Sequence, residues 1–177
     1  MAQLDILLAG FGGQGILFAG KIIASCALID GREVSWLPSY GPEMRGGTAN
    51  CSVCLSDAPI GSPLVLKPNL LVVMNNPSYD KFIDAVVPGG TVIINSSLID
   101  RKTERTDIHA HYIPATDLAN QNELQSLANM ICLGKLLKET NFAALDIVDA
   151  AIEKCVPPRK QFLIEGNKKA VRLGMTL

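Results

Sequence analysis

The chain has 177 residues, of which 48% are hydrophobic and 19% are charged, and its net charge is −1. This composition excludes a disordered or collagen-like chain, and the near-zero charge argues against a nucleic-acid binder, which needs a basic face. Because the length is close to that of ordinary domains, we expect residues 1–177 to form a single domain.

The sequence predicts neither a membrane span nor an export signal. The longest apolar stretch, residues 15–29, is interrupted by Lys21 and is shorter than the roughly 20 residues that a bilayer requires. The amino terminus lacks the positive region of a signal peptide, and the five cysteines are an odd number that does not suggest a disulfide framework. We therefore expect a cytoplasmic protein with reduced thiols and no membrane partner.

The predicted elements begin with a strand, a glycine turn, a helix and a second strand. Residues 4–9 are apolar enough for a buried strand, residues 16–29 carry apolar side chains through four helical turns, and residues 33–37 predict a strand that Pro38 ends. Further strands are predicted over residues 48–55, 70–74, 91–94 and 110–113. The opening is therefore typical of a βαβ unit.

Helices are predicted between and after the later strands. One starts at Pro77 and ends before residue 88, and three more cover residues 118–138, 143–155 and 160–173. Strands that alternate with helices predict an α/β fold, Rossmann-like, with an open, mainly parallel sheet and helices on both faces.

The glycine turn, residues 10–15, is the first candidate site. Gly10-Phe11-Gly12-Gly13-Gln14-Gly15 matches the pattern G-x-G-x-x-G, directly after a strand and at the start of a helix. Free amide groups and the positive end of the helix dipole favour an anion there, which predicts a phosphate or pyrophosphate site. The alternative is that these glycines only satisfy the geometry of the turn.

The residues of the turn and of the second strand argue against two common nucleotide ligands. A dinucleotide site needs an acidic residue at the end of the second strand, and Trp36, Leu37, Pro38 and Ser39 stand there instead. The lysine of a P-loop is also missing from the turn. Binding of NAD and hydrolysis of ATP are therefore weakly supported.

A second loop, residues 39–47, follows the second strand and is the other candidate site. Ser39, Tyr40, Glu43, Arg45 and Gly46 bring a flat aromatic ring, both signs of charge and accessible backbone to one place. Loops at the carboxyl ends of parallel strands line the ligand crevice of an open sheet, so this loop is expected to face the glycine turn. An ordinary turn with a surface ion pair is the alternative.

Taken together, the glycine turn and the second loop, Ser39-Tyr40-Gly41-Pro42-Glu43-Met44-Arg45-Gly46-Gly47, resemble the gamma subunit of 2-oxoacid:ferredoxin oxidoreductases. The resemblance extends through residues 67–71 and 79–82 and is looser after about residue 100. It implies a Rossmann-like domain associated with coenzyme A binding and assembly. The enzyme so implied converts a 2-oxoacid, coenzyme A and oxidised ferredoxin into acyl-CoA, carbon dioxide and reduced ferredoxin.

The resemblance also implies partners and roles. Thiamine diphosphate and iron-sulfur clusters belong to partner subunits of the alpha, beta and ferredoxin-type delta kinds. Ferredoxin is a partner of this chain only indirectly, through those subunits. The particular residues of the two motifs favour the 2-oxoglutarate or branched-chain enzymes over the pyruvate enzyme. In the glycine turn, Gly12, Gly13, Gln14 and Gly15 are expected to cradle phosphate. The predicted coenzyme-binding residues are Gly10, Gly12, Gly13, Gln14, Gly15, Ser39, Tyr40, Glu43, Arg45 and Gly46. For Tyr40, Glu43 and Arg45, a contact with another subunit is the alternative to the coenzyme pocket.

Two other patterns predict no chemistry. Cys51 and Cys54 form a C-x-x-C within a predicted strand, where residues three apart point to opposite faces and cannot share a metal. His109 and His111 share a face of a strand, but no third ligand is suggested nearby. No catalytic set is evident, so the chain is expected to contribute to an enzyme without a complete active site of its own.

Two other functions remain open. An independent NAD(P)- or flavin-binding oxidoreductase is one, and a pure assembly element whose glycine turn holds nothing is the other. A subunit isolated from its partners is also expected to be able to form a homo-oligomer through apolar faces.

Overall fold

Strands and helices alternate in the computed structural model, which describes residues 3–39 and 48–177, with only the backbone described at residue 48. The strands are β1 (Leu4–Phe11), β2 (Glu33–Ser39), β3 (Thr48–Ser56), β4 (Leu70–Val73), β5 (Thr91–Asn95) and β6 (His109–Ile113). The helices are α1 (Ile16–Ile29), α2 (Asn76–Phe82), α3 (Ala115–Gln121), α4 (Ala128–Thr140), α5 (Leu145–Cys155) and α6 (Ile164–Met175). None of the described helices is long and apolar enough to cross a bilayer.

The strands form one mixed sheet in the order β2-β3-β1-β4-β5-β6. β1, β4, β5 and β6 pair in parallel, whereas β3 pairs antiparallel with both β1 and β2. β2 therefore runs in the direction of β1 but lies two strands away from it. The predicted α/β fold with a mainly parallel sheet is confirmed, and the βαβ unit contains an inserted strand that the alternation of elements did not indicate.

Successive residues of β1 contact two separate hydrophobic clusters, one on each face of the sheet. Ile6 and Leu8 belong to a cluster with α1, α4, α5 and α6. Leu7 and Ala9 belong to a cluster with α2 and the loops that follow β3 and β5. This is the period of two that a strand buried on both faces requires. Helices thus cover both faces, with most of the helical mass on the first.

Two differences from the sequence prediction have a clear cause in the backbone. The helix predicted over residues 118–138 is divided into α3 and α4, because Glu123 (φ 57°) and Ser126 (φ 68°) adopt left-handed backbone conformations that end a helix. β2 continues through Pro38 to Ser39 instead of ending at Pro38. Proline is tolerated there because β2 is an edge strand of the described sheet.

Candidate functional site

The glycine turn connects β1 to α1 at the carboxyl edge of the parallel strands. β4 ends beside it, since the amide of Met74 donates to the carbonyl of Ala9 over 2.9 Å. The next residue, Asn75, is buried and accepts from the amide of Ser78 with its side chain. The turn therefore lies in the crevice where open α/β sheets bind ligands.

Three of the four glycines of the turn meet one of two structural requirements. Gly13 has a φ of 92°, and a Cβ placed on it would meet nothing within 4 Å, so the turn faces open space at this point. A Cβ on Gly10 would lie 2.6 Å from Gln14 Oε1, and one on Gly15 would lie 2.4 Å from Asn129 Nδ2. Gly10 and Gly15 therefore permit close packing, while Gly13 permits the bend.

Gln14 holds the turn together from the inside. Its Oε1 accepts from the amide of Phe11 over 2.6 Å, and its Nε2 donates to the carbonyl of Met74 over 3.3 Å. The backbone amide of Gln14 donates to the carbonyl of Phe11 over 3.2 Å. Because these groups have partners within the protein, Gln14 fixes the shape of the turn and links β1 to β4.

The other amides of the turn have no such partners. Those of Gly12, Gly13 and Gly15 donate to no other residue within 3–39 and 48–177. Gly15 is the N-cap of α1, and no side chain caps that helix. Unpaired amides at the positive end of a helix dipole favour a bound anion, as the motif predicts.

A small crevice of about 170 Å³ opens beside Gly13 and Gln14. Thr116 and Ser126, which carry hydroxyl groups, are among its lining residues. Thr116 is held in place because its Oγ1 accepts from Asn95 Nδ2 over 2.8 Å and its amide donates to Asn95 Oδ1 over 3.3 Å. The crevice beside the glycine turn therefore contains two hydroxyl groups, and the last residue of β5 holds one of them in place.

A larger cavity of about 670 Å³ lies on the other side of Gly15, and we call it the helix-end pocket. It lies where the ends of α1, α4, α5 and α6 meet. Its lining residues are Gly15, Phe18, Glu123, Leu124, Gln125, Ser126, Leu127, Asn129, Val156, Pro157, Lys160, Phe162, Leu163, Gly166 and Asn167. Sequence reasoning missed this cavity, because most of these residues lie within segments predicted as ordinary helices.

The sequence of residues 5–177 matches the pyruvate ferredoxin/flavodoxin oxidoreductase family. The chain belongs to this family. A relative, the 2-oxoglutarate synthase subunit KorC of Methanocaldococcus jannaschii, is 39% identical over 156 residues, which are 86% of this chain and 83% of KorC.

Two solved structures share the fold. The gamma subunit of keto/oxoacid ferredoxin oxidoreductase from Geobacter sulfurreducens PCA superposes with a TM-score of 0.83 and 26% identity, covering 98% of this chain and 96% of that one. The 2-oxoglutarate:ferredoxin oxidoreductase from Magnetococcus marinus, with 2-oxoglutarate, coenzyme A and succinyl-CoA bound, gives a TM-score of 0.87 at 22% identity. This chain is covered to 99% but spans only 31% of that one. Within the oxidoreductase family, the chain is of the gamma-subunit type.

The structure brings together only some of the residues predicted for this family member. Asn50 pairs with Ala9 on β1 and with Ser39 on β2, so Ser39 lies at the same sheet edge, two strands from β1. Tyr40, Glu43, Arg45 and Gly46 lie outside the described residues. Among the residues of the second loop predicted to bind coenzyme A, the structure therefore places only Ser39.

The cysteines of this oxidoreductase chain are arranged as predicted. Cys51 contacts the α1 side of the sheet, with its Sγ 3.7 Å from the carbonyl of Ile16, and Cys54 belongs to the cluster on the opposite face. Burial raises the pKa of Cys51 to about 12 and that of Cys54 to about 11. Thiols that stay protonated in this way are poor nucleophiles at neutral pH.

The two histidines lie on β6, at the far edge of the sheet. His111 Nε2 is 3.6 Å from Glu139 Oε2. Burial lowers the pKa of His111, although the Glu139 carboxylate opposes the shift. Within the described ranges, no three His, Cys, Asp or Glu side chains are grouped so that they could hold a metal ion.

Proposed function

We propose that this gamma subunit binds coenzyme A at its glycine turn, within a complex that oxidises a 2-oxoacid and reduces ferredoxin. The observation that supports this most is the set of unpaired amides of Gly12, Gly13 and Gly15 at the uncapped start of α1. Coenzyme A carries a diphosphate, which such a turn suits. Gly10 and Gln14 keep the turn in shape for that ligand.

The second loop completes the site in this proposal. Ser39 ends β2 at the same sheet edge as the turn, so the residues that follow it start from that edge. Tyr40, Glu43, Arg45 and Gly46 contact either the coenzyme or a neighbouring subunit. Arg45 would supply the positive charge that the described part of the turn lacks.

The partners in the proposed complex are the alpha, beta and ferredoxin-type delta subunits. Thiamine diphosphate and iron-sulfur clusters are carried by those partners, which perform the chemical step. The 2-oxoacid is 2-oxoglutarate or a branched-chain acid, and relatives of both kinds support this choice, since a 2-oxoglutarate synthase subunit is 39% identical and a ketoisovalerate oxidoreductase subunit is 38% identical. An independent NAD(P)-dependent enzyme has less support, because β2 ends without an acidic residue and β3 separates it from β1.

A pair of substitutions at Gly13 tests the coenzyme site in the assembled complex. Gly13→Glu places a negative charge where the diphosphate is expected, whereas Gly13→Gln has the same size and the same backbone strain without the charge. We expect the KM for coenzyme A to be at least about tenfold higher for Gly13→Glu than for Gly13→Gln, because two like charges a few ångströms apart repel strongly. The measurement is coenzyme A-dependent reduction of ferredoxin or viologen.

Equal KM values for the two variants would show that the turn holds no phosphate and serves only assembly. The membership of the complex is tested separately by purifying it from its source. We expect the chain to co-purify with a thiamine diphosphate-binding subunit. A preparation that retains the oxidoreductase activity but lacks this chain would contradict the proposed complex.

A further inference from the structure

The edge strand β2 borders a groove on the α1 side of the sheet, and we call it the β2 groove. It has a volume of about 380 Å³ and lies between β2, α1 and the last residues of α5. No residue of the glycine turn lines it. The β2 groove is therefore a surface that the proposed coenzyme site does not use.

Trp36 presents a fixed aromatic ring to this groove. Its exposed fraction is 39%, and Leu28, which also lines the groove, is 59% exposed. A Cβ on Gly20 would lie 3.1 Å from Trp36 Nε1, so the nitrogen edge of the indole packs closely against α1. A rigid, exposed tryptophan beside an exposed leucine is typical of the residues that anchor protein interfaces.

The backbone of β2 is unpaired on its outer side. β2 pairs with β3 alone and forms an edge of the described sheet. Pro38 has no N–H, and a proline in an edge strand stands where its nitrogen faces away from the neighbouring strand. Backbone amides alternate in direction along a strand, so those of Val34 and Trp36 face outward as well. An extended segment of another chain can therefore pair with β2.

Two lysines give the β2 groove a positive charge. Lys21 on α1 and Lys154 on α5 line it, and both are exposed. Neither forms an ion pair within the part of the chain that the structure describes. No acidic side chain among the described residues lines the groove. A docked segment with a carboxylate would supply the missing opposite charge.

The same lysines argue against a second copy of this chain as the occupant. Two copies that paired antiparallel through β2 would be related by a two-fold axis perpendicular to the sheet, which places both α1 helices on one face. Lys21 and Lys154 of each copy would then lie beside those of the other, with no carboxylate in either groove. Like charges in such an arrangement repel.

We propose that β2 and its groove dock an extended, acidic segment of a partner subunit, which adds to the six-stranded sheet as a further strand. An apolar side chain of that segment packs on Trp36 and Leu28, and a carboxylate on the same face of the segment contacts Lys21 or Lys154. Pro38 limits the pairing to the earlier part of β2, because it has no N–H to donate. This inference rests on the proposed complex.

Amide hydrogen exchange in the assembled complex and in the isolated full chain tests the strand addition. We expect the amides of Val34 and Trp36 to exchange at least about a hundredfold more slowly in the complex, because the added strand accepts their hydrogen bonds. The amides of Ser35 and Leu37, which face β3, are internal controls that should be slow in both samples. Mass spectrometry with fragmentation to single residues measures all four rates.

Two outcomes of the exchange experiment would overturn the proposal. One is equal exchange of the Val34 and Trp36 amides in the two samples. The other is slow exchange that is already present in the isolated chain and increases with its concentration, which would identify a second copy as the occupant of the edge.

Competition between two forms of the chain tests the charge of the occupant. Wild type and a variant that combines Lys21→Glu with Lys154→Glu are produced in equal amounts together with the partner subunits. We expect the purified complex to contain at least about tenfold more wild type, because attraction becomes repulsion. Mass spectrometry gives the ratio, and urea unfolding of the isolated variant checks its fold.

The matched control combines Lys67→Glu with Lys102→Glu. These lysines are exposed, form no ion pair with any residue in 3–39 or 48–177, and lie outside the groove. The change in net charge is the same, so we expect a ratio near one. A similar ratio for the two double variants would contradict an acidic occupant.

The proposed complex and this docking surface fail in different ways. If the chain purifies from its source without a thiamine diphosphate-binding subunit, both are wrong. If the complex is intact but the outward amides of β2 stay unprotected, only the docking surface is wrong. The Gly13 test of the coenzyme site is independent of this second result.

Discussion

Gly15 and Asn129 join the glycine turn to the start of α4. Asn129 is buried, and its Nδ2 donates to the carbonyl of Gly15 over 3.0 Å. The contact is so close that a Cβ on Gly15 would lie 2.4 Å from that nitrogen, and the φ of Gly15 is 73°. The position of the turn therefore depends on a residue 114 positions away in the sequence.

The substitution Gly15→Ala should lower the free energy of unfolding, because it disturbs this contact. Gly31 is the matched control, because its φ of 71° is nearly the same and a Cβ there would meet nothing within 4 Å. Gly31→Ala should cost about 1 kcal/mol from backbone strain alone, and Gly15→Ala should cost about 2–4 kcal/mol because Asn129 must also move. Urea unfolding measures both, and equal losses would show that Asn129 adapts freely.

At the scale of elements, α4 and α6 approach each other through glycine. A Cβ on Gly134 would lie 2.0 Å from the carbonyl oxygen of Val171, and one on Gly174 would lie 2.0 Å from that of Ile131. Real Cβ atoms do not come so close to backbone, and backbone cannot move aside as a side chain can. The pair of helices therefore packs at this distance only because both positions lack a side chain.

Gly134→Ala should consequently destabilise the protein by about 3 kcal/mol or more, since α6 must move away from α4. Gly166→Ala is the matched helical control, because its nearest neighbour would be Leu127 Cδ1 at 3.4 Å, an ordinary contact. That substitution should instead stabilise by up to about 1 kcal/mol through helix propensity. Thermal or urea unfolding distinguishes them, and a neutral Gly134→Ala would contradict the close approach.

The elements themselves are largely predictable from local pattern, whereas their arrangement is not. α1 has the predicted ends, and the strands differ from prediction by only one or two residues at an end. The position of β3 between β1 and β2 depends on which distant strand pairs with it, and apolar runs do not encode that choice. The sequence also did not predict the break before α4. Glu123 and Ser126 adopt left-handed conformations there, although neither is the glycine that usually marks the end of a helix.

The candidate site likewise has one part that the local sequence predicts and one part that it does not. The glycine turn is local, so its pattern indicated its position and its unpaired amides. The helix-end pocket is assembled from four helix ends that are distant in sequence, and Lys160 and Phe162 carry no motif. Gln14 illustrates an intermediate case, because the motif gave its position but only the structure shows that its side chain contacts Phe11 and Met74.

At the scale of the whole molecule, the cysteines lie on both faces of the sheet. All five are buried and free. Burial raises the pKa of Cys26, Cys51 and Cys132 to about 12, and Cys54, on the other face, has a pKa of about 11. Thiol reagents attack the thiolate, so these side chains should react only when the protein opens.

Thiol labelling can therefore test whether residues 1–177 behave as the single domain that their length predicts. In mild urea at pH 8, a chain that opens cooperatively should give the same free energy of opening at Cys51 and Cys54, because each global opening exposes all five thiols together. The same chain in strong denaturant calibrates the intrinsic rate of labelling. If Cys54 were instead labelled well before Cys51, the two faces of the sheet would open independently and the single-domain prediction would be wrong.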